Sequence, residues 1–320
     1  MSTPNDLLAR LASLANPDGG WGYLAGKASH PEPTCFALLA LAGEREHFQA
    51  PVANGLASLQ RNYQADGTYR LADSRPEAGW PTAIALFARL ALGASADEVK
   101  PTVGRLLATE SQVIPKGPET SDMENDIDLT LVGWPWAATN FGWVEPTSWA
   151  VVALRAAGLE SHPRVKQGVT LLLDRAFETG GANYGNRVVL GTSTEPIPTP
   201  TALLLLALQG VEHPRVDAAV GYLRLHAAKS TDLEHLSWAK IALGVHDSDT
   251  ATRDLLPELD KKIHALAQEP GVSVHRLALA GVALAARNVF RRATHPPAPS
   301  PQGGGERPPG NDAASGSSVA

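Results

Sequence analysis

Cysteine is nearly absent. Cys35 is the only one in 320 residues, so no disulfide forms within the chain and no multi-cysteine zinc site can be built. Long apolar runs are missing too. The longest, TALLLLALQG from Thr201, falls far short of the ~20 residues a membrane helix needs. The N-terminal MSTPNDLLARLASLANPDGG has no basic region followed by an apolar core, so it does not read as a secretory signal, and a cytoplasmic location is expected. Net charge is −6 with no long basic block, which argues against a nucleic-acid surface. No strand-like alternation, His-based triad or Gly-rich phosphate loop is evident.

What the sequence has is a repeat. EPTCFALLALAG begins at Glu32, WPTAIALFARLALG at Trp80, EPTSWAVVALRAAG at Glu145 and TPTALLLLALQG at Thr199. LSWAKIALG from Leu236 and SVHRLALAGVALAARN from Ser273 are degenerate copies. Aligned at Thr34, Thr82, Thr147, Thr201, Ser237 and Ser273, the six units stand 36 to 65 residues apart. Proline is tolerated in a first helical turn, the nearby Thr or Ser can cap free N–H groups, and glycine ends most units. Each unit therefore predicts a helix that is apolar on nearly every side and so buried all round. Amphipathic helices are expected between them, at about 5–16, 51–63, 95–111, 163–177, 214–228 and 255–268. An open stack of such pairs would need polar end caps, whereas a ring of six buried helices inside six amphipathic ones needs none. The expectation is all-α: a closed (α/α)6 toroid over residues 1–292, followed by a disordered Pro/Gly/Ser-rich tail over 293–320.

The turns from outer to inner helices carry a second pattern. LASLANPDGGWGY (11–23) and LASLQRNYQADGTYR (56–70) each place Asp-Gly and then an aromatic after an apolar helix end; TGGANYGN (179–186) keeps the glycines and the aromatic. Glycine permits the tight turn and the aromatic can plug the gap between hairpins. The turn written by Leu59, Gln60, Asp66, Gly67 and Tyr69, with its Pro-Thr-x-x-Ala-Leu helices, resembles the repeat of squalene/hopene-type triterpene cyclases and protein prenyltransferase β subunits. The resemblance covers about residues 5 to 290 and implies the α/α-toroid fold and an isoprenoid or terpenoid-like apolar ligand.

The resemblance breaks at the chemistry. The cyclase motif Asp-x-Asp-Asp-Thr-Ala, aligned with its Ala on Ala150, puts Glu145, Thr147 and Ser148 at its acid positions; the middle acid becomes a hydroxyl. The prenyltransferase zinc set of Asp, Cys and His finds Cys35 and His275, with Glu32 one turn before Cys35, at the starts of the first and sixth units. Cys35 reads better as a core residue and His275 as a capping or core-edge one, so no metal site is assigned.

The connections that lead into the inner helices all open at one end of the ring. Two of them, about 113–144 and 180–198, are long, and long loops on a rigid scaffold commonly carry function. The first holds Asp122, Glu124, Asp126 and Asp128, and all seven tryptophans of the chain fall at this end. Converging helix N-termini favour an anion, and aromatic faces favour apolar chains and cations. The candidate ligand-binding residues are Trp134, Trp136, Trp143, Thr147, Trp149 and Trp238, lining an apolar cavity. The candidate catalytic residues are Glu145, Asp126 and Asp128, the last two able to offer oxygen ligands to Mg²⁺. Whether the chain is an enzyme stays open at this stage. The alternatives are a non-catalytic binding or scaffold toroid, and a polysaccharide-active (α/α)6 barrel in which tryptophans stack on sugars and paired carboxylates act as acid and base. A protein partner is not specified by the sequence.

Overall fold

The computed structural model describes residues 4–71, 79–115, 117 and 126–292. Twelve α-helices run through them: α1 (Pro4–Ser13), α2 (Pro31–Leu41), α3 (Gln49–Arg61), α4 (Pro81–Ala91), α5 (Ala96–Ala108), α6 (Val144–Ala156), α7 (Pro163–Arg175), α8 (Pro198–Ala207), α9 (Pro214–Lys229), α10 (Leu233–Leu243), α11 (Thr250–Ala267) and α12 (Val274–Leu284). Strand is confined, among the described residues, to the two-residue pair β1 (Val188–Val189) and β2 (Thr192–Ser193), a small hairpin in the loop before α8 that the sequence did not announce. The expected tail and the acidic residues Asp122 and Glu124 lie outside the described residues.

The even-numbered helices are the apolar repeats. In α2 every residue but Glu32 is buried, and α4, α6, α8, α10 and α12 are buried along nearly their whole length. Their packing runs α2 to α4 to α6 to α8 to α10 to α12 and returns to α2. The odd-numbered helices bury one stripe each, as in α7, where Val165, Gly168, Leu171 and Leu172 face inward. Glycines with positive φ follow α4, α6 and α8 at Gly93, Gly158 and Gly210.

The helix starts differ from expectation in an informative way. Thr34, Thr82, Thr147 and Thr201 do not cap; α2, α4, α6 and α8 have no side-chain cap at all. Each threonine reaches back to the preceding turn. The backbone N–H groups of Trp21, Tyr69, Trp134 and Ala182 donate to these four hydroxyls at 2.9–3.0 Å, and each hydroxyl donates to the carbonyl of the same residue. The threonine thus satisfies the N–H of a buried turn residue, whose carbonyl at Trp21, Trp134 and Ala182 also accepts a backbone N–H, from His30, Trp143 and Ile197. Ser237 turns inward to the Leu233 carbonyl, and only Ser273 caps, accepting from the Arg276 N–H. The true caps sit largely on the outer helices: the His162 and His213 rings accept from Arg164 and Arg215, and Ser95 and Glu98 form a capping box. Asp249 caps α11, which is why that helix starts five residues before the position read from the sequence and carries Pro257 inside it.

The Asp-Gly turns fit the same scheme. A Cβ on Gly19 would lie 2.5 Å from the Asn54 carbonyl of α3, and one on Gly67 would lie 2.6 Å from the Pro101 carbonyl of α5. Both also have φ near +85°, so glycine is required twice over, for the turn and for its seat against the next outer helix.

Candidate functional site

Helices α2, α6 and α10 are alternate members of the inner series, yet their aromatic side chains touch. Phe36 lies 6.0 Å from Trp149 and 5.6 Å from Trp238, and Trp149 lies 6.0 Å from Trp238, all edge to face. Three rings from alternate helices can meet only at the centre of the series. Below them Phe87 of α4 stacks on Phe290 at 4.7 Å, and Phe290 is 5.9 Å from Trp149 and 6.5 Å from Trp238. Exposure is 1% for Phe36 and Trp149, 3% for Trp238, 5% for Phe87 and 4% for Phe290. The centre is therefore filled with aromatic rings.

A carboxylate precedes each member of the upper triad by four residues: Glu32 before Phe36, Glu145 before Trp149, Glu234 before Trp238. Residues four apart share a helix face, so the three carboxyl groups stand one turn nearer the helix N-termini than the rings. Their mutual influence follows. Glu145 is pushed up to about 8, first by burial and then by the charges of Glu32 and Glu234. A helix N-terminus by itself lowers a carboxyl pKa; here desolvation and like charge outweigh it.

The surroundings close this group from the sides. The Tyr23 hydroxyl donates to Glu32 at 2.5 Å, and burial together with the charges of Glu32 and Glu145 raises its pKa. Tyr184, half-exposed, is raised by burial and by Glu145 and Glu234. His275 of α12 places Nε2 3.7 Å from Glu32 and its ring edge-on to Phe36 at 5.2 Å. Cys35 is buried, and burial followed by Glu32 pushes its thiol up, the opposite of the thiolate that zinc demands. Among the described residues no group of three or more His, Cys, Asp or Glu is arranged to hold a metal.

The remaining sequence candidates are distributed elsewhere. Trp134 and Thr147 belong to the joint between hairpins rather than to the mouth. Trp134 donates through its indole N–H to the Leu106 carbonyl, as Trp21 does to Leu11, and Arg164 lies over its ring at 3.7 Å. Thr147 is fully buried with its hydroxyl occupied by Trp134, so it has nothing to offer a ligand. Trp136 meets Trp80 edge to face at 5.2 Å in an open cavity of roughly 320 Å³ that also contains Arg70 and Arg105. Trp143, the N-cap of α6, packs on Gly185 and lines a second cavity of roughly 230 Å³ with Phe141, Ile127 and Leu129. Asp126 pairs with Arg187 at 2.8 Å. Asp128 accepts from the Thr130 N–H and hydroxyl while its backbone carbonyl binds Arg175. Both aspartates tether the long loop to α7 and to the loop that follows it, and neither is brought to Glu145 by any contact described.

Glu234 and Phe36 were not singled out by sequence reasoning, and Glu32 entered only beside Cys35 in the zinc comparison, although a signal existed. EPTCF, EPTSW and EHLSW all read Glu-x-x-x-aromatic. Aligning the fifth unit on Ser237 shifted it by one residue and hid the match; Leu236, not Ser237, holds the place of Thr34 and Thr147.

No protein-family model matches the chain. The type II terpene cyclase MstE from Scytonema superposes with a TM-score of 0.62 at 14% identity, covering 90% of this chain and 97% of that one. A variant of it in complex with geranylgeranyl dihydroxybenzoate, described as its substrate, gives 0.60 at 14% identity, covering 90% and 96%. A Salmonella alpha-2-macroglobulin mutant gives 0.51 at 15% identity, covering 88% of this chain and 17% of that one. In sequence, drimenyl diphosphate synthases of Streptomyces showdoensis and Streptantibioticus cattleyicolor are 41% identical over 75 residues and 44% over 71, or 23% and 22% of this chain. The match spans only 14% and 13% of those relatives' own length. The fold is of the terpenoid-cyclase type. No helix among the described residues is long and apolar enough to cross a membrane.

Proposed function

We propose that the chain is a closed six-hairpin toroid that acts on an isoprenoid-like ligand, with Glu145 as the acid that protonates an alkene. The observation that supports this most is the place of Glu145, one helical turn before Trp149, whose ring meets Phe36 and Trp238. A carboxyl that still holds its proton at neutral pH is a competent acid. The ring faces one turn below it are suited to the carbocation that protonation creates. In the reaction the Glu145 O–H bond breaks, the proton adds to one alkene carbon, and the cation formed is attacked by a neighbouring double bond. Loss of a proton from the cyclised cation restores neutrality. Burial keeps Glu145 protonated, and Glu32 and Glu234 add to it by raising the cost of a further negative charge. The terpene cyclases similar in fold, and the drimenyl diphosphate synthases similar over a short stretch, favour the same substrate class.

A non-catalytic binding toroid is the second reading. It is favoured by the full packing of the centre and by the likeness to an alpha-2-macroglobulin, whose name speaks of no cyclisation.

The test is incubation of the purified chain with geranylgeranyl diphosphate and a prenylated aromatic in D2O. Cyclisation by Glu145 adds one deuterium from solvent to each product molecule, and Glu145→Gln abolishes both product and label. Product without solvent deuterium, or undiminished turnover by Glu145→Gln, would rule this acid out.

A further inference from the structure

Phe290 belongs to none of the six inner helices. It arrives on the non-helical segment 285–292 that follows α12, and its ring enters the centre from the end opposite the three glutamates. The segment lies across the C-terminal ends of three inner helices. Asn288 donates to the Ile241 carbonyl of α10, and Arg291 reaches Asp247 and the Gly244 carbonyl beyond it. Gln209, just past α8, donates to the Phe290 carbonyl at 2.9 Å and accepts the Arg292 N–H at 2.9 Å. Arg292 pairs with Glu160, past α6. Beside Phe290, Val289 packs on the core and the Gln209 bond to the Phe290 carbonyl is buried, while ion pairs as exposed as Arg291–Asp247 and Arg292–Glu160 add little stability. Phe290 is the one buried residue of the segment.

We infer that residues 285–292 form a removable plug, and that Phe290 stands in the place an apolar ligand chain takes. With Phe290 withdrawn, the vacated space is walled by Phe87, Trp149 and Trp238, with Phe36 and the three carboxyl groups beyond. Its lining is aromatic, so it takes an unsaturated hydrocarbon chain and rejects a charged group, which would be left unsolvated. A chain that displaces Phe290 buries apolar surface where Phe290 buried its own, so the exchange is close to balanced and the free protein stays closed. The inference rests on the isoprenoid reading above for the class of ligand, but not on catalysis.

The test uses geranylgeraniol, an uncharged isoprenoid, titrated into the full chain and followed by tryptophan fluorescence. If the plug is closed in most molecules, apparent affinity is reduced by the fraction open. Phe290→Ala then binds geranylgeraniol at least about tenfold tighter than the unaltered chain, and Gln209→Ala, which frees the segment without touching the centre, falls between the two. In the unaltered chain geranylgeraniol speeds hydrogen exchange at the Arg292 amide. Equal affinity in all three proteins, or ligand binding with no change at that amide, overturns the plug. If Phe290→Ala does not fold, Gln209→Ala and the exchange measurement decide. Tighter binding without turnover sinks only the catalytic reading; turnover with affinity and exchange unchanged sinks only the plug.

Discussion

Trp149 of α6 and Trp238 of α10 meet edge to face at 6.0 Å, although helix α8 packs between their two helices. That contact ties alternate members of the inner series together through its centre. Truncation of either ring should therefore cost more than loss of a wall residue. Trp149→Ala and Trp238→Ala are each expected to lower unfolding free energy by about 3–5 kcal/mol. The double variant should show a coupling of about 0.5–1.5 kcal/mol beyond additivity. Urea denaturation of the four proteins measures both.

Thr147 separates a structural from a ligand-binding role. Thr147→Val keeps the shape and removes the hydroxyl, leaving the buried Trp134 N–H unpaired while its carbonyl keeps the Trp143 N–H, for about 1–3 kcal/mol of stability. Thr147→Ser keeps the hydroxyl and should cost less. Isoprenoid affinity, measured by fluorescence titration, should be the same in Thr147→Ser as in the unaltered chain, because the hydroxyl faces the turn and not the mouth.

Asp126 and Asp128 are expected to act on the loop rather than on the chemistry. Asp126→Asn weakens the pair with Arg187 and should lower the melting temperature. The pH dependence of Glu145 should not move, because the charges that raise it are those of Glu32 and Glu234. A shift in that titration would place Asp126 in the site.

Stability should depend on pH through Glu145 in a direction set by the sign of its shift. Its folded value, near 8, lies above the unfolded value of 4.5. Between these two pH values the folded chain holds a proton that the unfolded chain has lost. Unfolding then releases a proton, so stability falls as pH rises across the window, by up to about 1.4 kcal/mol per pH unit. Below 4.5 and above 8 this contribution is flat. Glu145→Gln should flatten the window and raise stability at its upper end; calorimetry from pH 4 to 9 reads both.

The alternation of apolar and amphipathic helices was legible because burial all round leaves no polar stripe, and that signal needs no long-range information. The aromatic at each Asp-Gly turn was legible as a plug for the same local reason, and Trp21 and Tyr69 occupy that place with Trp134. The role of Thr34 and its equivalents was not, since a threonine beside a proline at a helix start suits a cap as well as a clamp, and only the position of a turn 13 to 19 residues earlier decides. The glutamate triad was half legible. Glu145 stood out at a helix start, but its partners come from helices far apart in the chain, and nothing local says that alternate units face one another. Phe290 was hidden for a similar reason: it follows the last repeat, and nothing local says that its ring turns back into the centre.

The central claim is that Glu145 keeps its proton at neutral pH above the aromatic centre. A carbon-13 NMR titration of chain labelled at the glutamate carboxyl carbon, assigned by difference from Glu145→Gln, tests it most directly. The account predicts a Glu145 midpoint near 8, falling when Glu32→Gln removes one neighbouring charge. A midpoint at or below about 4.3, the value of an unperturbed glutamate, would contradict it.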